Sequence, residues 1–273
     1  MIKDTEKLKE LFLSLGYKED DYLTLIEDYA LRRYTEETFI NKIKIIYNYL
    51  LSMGYTKEEV IKMTKTLPTI YSLSIENMKK KIDDIVELGY TKEEVIKITK
   101  TLPQIYGYSI ETMKQKIDDI VALGYTKEEV IKMTKTFPPI YGLFIENMKQ
   151  KIDDIVALGY TKEDVIKMTK LLPSIYGLSI ENIKQKIEFY DSINMHFLAV
   201  EDSKKLMQST KKSYARYKFL TIEKGIIIDT SNYKKIFYDE KNFQKQHGIS
   251  TDELCLKYNY EKDMEEQEFG GKK

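Results

Sequence analysis

Arginine is almost missing from this chain: it occurs only at Arg32, Arg33 and Arg216, and lysine supplies the rest of the 44 basic residues. Forty-four acidic residues balance them, so the formal net charge is zero. That balance argues against capturing nucleic acid by bulk charge, and scarce arginine argues against bidentate readout of guanine. The single cysteine, Cys255, excludes an internal disulfide and fits a reducing compartment. Tryptophan is absent, and heavy use of Lys, Ile, Asn and Tyr fits an AT-rich genome: a low-GC bacterium, a phage or an organelle. No apolar run approaches the roughly 20 residues that span a bilayer, so no membrane partner is expected. The opening MIKDTEKLKELFLSLGY carries acids early and lacks an arginine-rich amphipathic stretch, so it reads as neither signal nor transit peptide. The expected location is the cytoplasm of a bacterium (or its phage), or an organellar matrix in mature form.

Catalytic motifs are lacking as well. His196 and His247 stand alone, no glycine-rich phosphate loop occurs, and Cys255 has no base beside it in the sequence. Neither catalysis nor a metal or other cofactor is expected.

What the chain does contain is one 35-residue unit, clearest from Gly89 to Leu123, whose next copy (Gly124 to Leu158) differs at six positions. Gly54, Gly89, Gly124 and Gly159 mark starts 35 residues apart. A period of this length signals a solenoid, in which each unit buries its apolar face on its neighbours. Each copy reads as two helices. Thr56 and Glu59 form a capping box that opens helix A, repeated as Thr91/Glu94, Thr126/Glu129 and Thr161/Asp164. Val60, Met63, Thr64 and Leu67 share a face, and Pro68 ends the helix because the residue before proline leaves the α region. The next residues suit one 3₁₀ turn. Ser74 then caps helix B, whose stripe is Ile75, Met78, Ile82, Ile85 and Val86, and Gly89 closes it in the left-handed conformation. The predicted fold is all-α: a curved α-solenoid of helix–helix–3₁₀ repeats, monomeric.

Residues 1–53 read as an irregular N-terminal capping repeat, with Gly16 standing 38 residues before Gly54 and Lys18 in place of the capping threonine. Residues 54–194 hold four repeats. Residues 195–260 read as degenerate C-terminal repeats and a cap, with Phe237, Phe243, Ile249, Leu254 and Leu256 as its apolar material; 261–273 form an acidic tail. Ile226–Ile228 reads as a short extended piece or the start of another unit.

The Gly-Tyr-Thr-Lys-Glu-Glu-Val helix start, the Leu-Pro-x-Ile-Tyr break and the Ser-Ile-Glu-Asn-Met-x-x-Lys-Ile opening of helix B, over roughly Gly54 to Asn194, resemble the mitochondrial transcription termination factor (mTERF) family. Ser213 to Ile226, SYARYKFLTIEKGI, is similar to a late unit of that family. The resemblance implies a concave basic surface that holds duplex DNA or structured RNA, and a role in transcription, its termination, or ribosome biogenesis. A protein-binding scaffold that grips another polypeptide in its groove remains the competing expectation.

For nucleic acid, the candidate contacts are helix-A lysines in two rows: Lys62, Lys97, Lys132 and Lys167, and Lys65, Lys100, Lys135 and Lys170. Stacked in a solenoid, they would form a ribbon along a phosphate backbone. The densest basic stretch, Glu201 to Gly225, has seven basic residues against three acidic, a net +4. Lys211, Lys212 and Arg216 are its candidate contact group. Asp83/Asp84, Asp118/Asp119 and Asp153/Asp154 read as solvated, self-paired helix surface. Tyr71, Tyr106, Tyr141 and Tyr176 read as corner packing whose hydroxyls reach backbone. In the third copy Phe144 replaces the capping serine, offering either drift or a partner contact.

Overall fold

The structure, a computed structural model, describes residues 6–26 and 34–263. All regular structure among those residues is helical. The repeated unit folds as its sequence dictates: helix A, a 3₁₀ turn, helix B. In the first two regular copies these are Lys57–Thr66, Pro68–Ser72 and Ile75–Val86, then Lys92–Thr101, Pro103–Gly107 and Ile110–Val121. Two further copies follow, with helices Lys127–Thr136 and Ile145–Val156, then Lys162–Leu171 and Ile180–Ser192.

Each boundary has a local cause. All four predicted capping boxes form, the Thr56 hydroxyl accepting from Glu59 N while Glu59 Oε2 accepts from Thr56 N at 2.9 Å. Helix A ends two residues before each proline, and the residue between them, Leu67 in the first copy, lies at φ −135°, ψ 77°, outside the α region. Ser74, Ser109 and Ser179 cap helix B. Gly89 ends it at φ +113°, a conformation that strains any residue with a Cβ. At the fourth helix B no glycine is available; Asn194 takes the left-handed position instead, at φ 57°, the side chain other than glycine that best tolerates it.

The chain forms two compact units, Met1–Ile145 and Glu146–Lys273. In the first, the irregular N-terminal copy keeps the repeat's logic with altered parts. Helix Glu6–Leu15 buries Leu8 and Phe12 and stops at Gly16, φ +99°. Lys18 cannot cap by its side chain, yet its amide still donates to Asp21, the counterpart of Glu59. Thr35 caps helix Glu36–Ser52, as its place in the pattern predicts. Repeats are tied together by buried hydroxyls. Tyr17 bonds Thr64 at 2.7 Å and Tyr71 at 2.6 Å, and Tyr90 bonds Thr134 and Tyr141 at 2.5 Å. The post-proline tyrosines are therefore corner packing. Tyr71 and Tyr141, however, are satisfied by a tyrosine of the preceding copy and not by backbone, because that tyrosine follows the left-handed glycine and points into the same corner.

The second unit holds the last two helices B, a shortened copy (Leu198–Glu201, Ser203–Met207, Thr210–Lys218) and a π turn at Phe219–Glu223. Ile226–Ile228 is neither strand nor helix, and Ile227 is 82% exposed. Two short helices, Glu240–His247 and Thr251–Lys257, follow. Phe237, Phe243 and Leu254 are buried there, Ile249 is half-buried, and Leu256 points to solvent at 88% exposure, so it contributes nothing to that core. Of the acidic tail, only Glu261 to Asp263 lie within the described residues. No described helix is long and apolar enough to cross a membrane.

Candidate nucleic-acid interface

Helix A carries its two lysine columns side by side, three residues apart, and the structure uses them differently. Lys65, Lys100 and Lys135 are cross-links. Each pairs with the capping carboxylate of the preceding copy: Lys65 with Asp21, Lys100 with Glu59 at 2.9 Å, Lys135 with Glu94 at 2.9 Å. Lys100 also lies 5.5 Å over the Tyr55 ring, and Lys135 5.5 Å over that of Tyr90. Those carboxylates titrate below the usual range. Glu94 is lowered first by Lys135 and then by the Thr91 amide, Glu59 first by the Thr56 amide and then by Lys100. These ammonium groups are engaged by carboxylates of the preceding copy, so the two columns of the expected ribbon are not equivalent. Lys170 occupies the equivalent place in Lys162–Leu171.

The other column stays open. Lys62, Lys97 and Lys132 are exposed and make no ion pair among the described residues. Lys132 and Lys135 line a groove of about 590 Å³ with Ile131, Glu94 and Lys127. In the second unit Lys167 is paired with Glu201 at 2.5 Å, both half-exposed.

The +4 segment is largely neutralised by the C-terminal cap. Lys211 pairs with Glu261 and Lys212 with Asp252, each at 2.9 Å and solvent-exposed, pairs that solvent screens and a phosphate can displace. Arg216 is different. It is 6% exposed; its Nε donates to Thr251 Oγ1 at 2.8 Å, one terminal nitrogen to the carbonyls of Ile236 and Tyr238, and the other to Glu240 at 2.8 Å. The guanidinium also lies 4.4 Å from the Phe243 ring centre. Four hydrogen bonds, from all three of its nitrogens, serve the packing of the cap, and with its burial this corrects its reading as a phosphate contact. A signal was available: Arg216 lies three residues after Ser213 and four before Leu220, on the helix face that both bury, and a rigid fork suits such a site better than lysine.

The aspartate pairs behave as helix surface. Lys80 holds Asp84 at 2.8 Å, and the Gln115 and Gln150 amides take over that role for Asp119 and Asp154. Lys79 lies 6.0 Å over the Tyr49 ring.

One lysine column escaped the sequence reading altogether. Lys81, Lys116 and Lys151, on helix B, donate to the carbonyls of Tyr108, Leu143 and Leu178, each 27 residues on, where the next copy's 3₁₀ turn ends. The 35-residue spacing of these lysines was visible; that they turn inward was not.

Helix, turn and helix repeating at a fixed period, cross-linked by tyrosine hydroxyls and capping carboxylates, define an α-helical repeat protein with an exposed lysine column. The mTERF family model matches residues 3–87 and 84–157, more than half of the chain. The protein belongs to the mTERF family. The match begins well before Gly54, taking in the irregular first copy, and ends at residue 157, before the fourth repeat. No curated protein matches the chain at a significant level.

Proposed function

We propose that the protein binds nucleic acid, duplex DNA or structured RNA, and acts on transcription or RNA by occupancy rather than by catalysis. The observation that carries this reading is the column Lys62, Lys97, Lys132: equivalent, exposed and without an ion pair among the described residues, beside lysines spent on cross-links. Family membership supports it. Unpaired ammonium groups at a structural period suit a backbone of regular phosphates, and the shortage of arginine favours backbone contact over guanine readout. Lys211 and Lys212, in exposed ion pairs, are secondary contacts.

The test is fluorescence anisotropy with duplex DNA and hairpin RNA across a salt series. Wild type binds with affinity that falls as salt rises. Changing Lys62, Lys97 and Lys132 together to Gln lowers affinity and flattens the log–log salt slope by about 2–3, near 0.9 for each B-DNA phosphate that is no longer neutralised. Changing Lys65, Lys100 and Lys135 instead lowers stability more than binding. Absence of binding at low salt overturns the reading in favour of a scaffold for a polypeptide, a second reading that draws on the Phe144 ring, 71% exposed.

A further inference from the structure

The helix-B lysine column breaks at its fourth member. Lys186 follows Lys151 by 35 residues and should reach the carbonyl closing the next 3₁₀ turn, that of Gln208. That turn belongs to a shortened copy: Leu143 and Leu178 are 35 residues apart, Leu178 and Gln208 only 30. The Lys186 ammonium makes no bond to Gln208; it turns back one helical turn to Asn182 Oδ1, at 2.5 Å. Its predecessors are half-buried, whereas Lys186 is 7% exposed and has no carboxylate partner among the described residues. A buried charge satisfied by one neutral oxygen is costly unless something else compensates it. Burial accordingly pulls its pKa down.

Where Lys186 falls short of the turn, an open cavity of about 420 Å³ remains, the size of a small-ligand site. Lys186 lines it with Gln185, Gln208, Ser209, Thr210 and Tyr260. Ser209 and Thr210 begin helix Thr210–Lys218, which has no acidic residue in its first turn, unlike every helix B before it. Its amides face no carboxylate of their own, which favours an anion. Glu261, also on the rim, is occupied by Lys211.

We infer that this cavity is a binding site for a phosphate monoester, whose oxygens take the spare Lys186 donors, the hydroxyls of Ser209 and Thr210 and the start of the helix, with Leu206 and Tyr260 against the body of the ligand. A phosphate monoester brings three terminal oxygens to this donor set against a carboxylate's two. The monoester is supplied either by a free mononucleotide or by the 5′-phosphorylated end of a strand. The inference does not rest on the lysine column of the first unit: internal phosphates test that column, and terminal phosphate tests this cavity.

The experiment is calorimetric titration of the full chain at constant ionic strength with inorganic phosphate, AMP, and a short oligonucleotide bearing a 5′-phosphate or a 5′-hydroxyl. Binding of phosphate or AMP, or preference for the phosphorylated strand, is expected, and Lys186→Met weakens it at least about tenfold while leaving helicity intact. The tightest ligand names the source. Glu261→Gln, which removes a competing carboxylate, tightens binding and serves if Lys186→Met fails to fold. No binding of any of these ligands, or equal affinity in wild type and Lys186→Met, overturns the site. So does an unchanged affinity in Glu261→Gln.

Discussion

Glu94 and Lys135 sit 2.9 Å apart across two successive repeats, while the same carboxylate closes the capping box of its own helix on Thr91 N at 2.8 Å. One side chain therefore starts a helix and fixes the next repeat against it. The same double use recurs at Glu59 and, with an aspartate, at Asp21.

The two roles differ in weight, and mutation separates them. Replacing Glu94 by Ala removes a cap hydrogen bond and an ion pair. The second is partly open to solvent on both sides and is screened there, so losing both contacts costs more than losing the ion pair alone. Lys135→Met removes only the second. Urea unfolding should rank the variants in that order. A larger effect from Lys135→Met would mean that the interface, not the cap, is the main role of Glu94.

Phe144 supplies no oxygen to the start of helix Ile145–Val156, where Ser109 and Ser179 accept from Thr112 N and Asn182 N in sister copies. Phe144→Ser should raise stability by about 0.5–2 kcal/mol and remove an exposed aromatic ring. If Phe144 is a partner contact, the variant gains stability and loses the partner. Thermal unfolding reads the first effect; a variant no more stable than wild type would show that the missing cap has no consequence.

Alkali should unfold the first unit in a narrow window. Burial pushes Tyr17 up to about 12, and Tyr55, Tyr71, Tyr90, Tyr106 and Tyr141 also rise, burial being the first cause for each. An unfolded tyrosine ionises near pH 10. Stabilisation from keeping these hydroxyls neutral is thus complete below about pH 10 and is lost as pH climbs through the native value. Each tyrosine still protonated in the native state adds about 1.4 kcal/mol of destabilisation per pH unit. Tyrosine ionisation, followed by ultraviolet absorbance, should coincide with loss of helical circular dichroism. Independent ionisation near the ordinary tyrosine range with helix retained would contradict the buried ladder.

Local chemistry made the repeat legible. A capping box, a proline break, a serine cap and a left-handed glycine each act within a few residues, so Thr56, Pro68, Ser74 and Gly89 could be assigned without knowing their neighbours. Packing between copies could not. Lys62 follows Glu58 by four residues and reads as paired, while Lys65 follows Ile61 and reads as free; the fold reverses this, giving Lys65 to Asp21 and leaving Lys62 without an ion pair among the described residues. Arg216 reads as a phosphate ligand until the cap is seen to close over it, and nothing along the chain separates Lys186 from Lys151.

By itself, then, the sequence determined the helical repeat, its period and its boundaries, because backbone capping and φ restriction are properties of short segments. The tertiary structure decided which charges remain for a ligand. A lysine's availability depends on whether an acid or a carbonyl from a distant part of the chain arrives within about 3 Å, and spacing along the chain does not encode that distance.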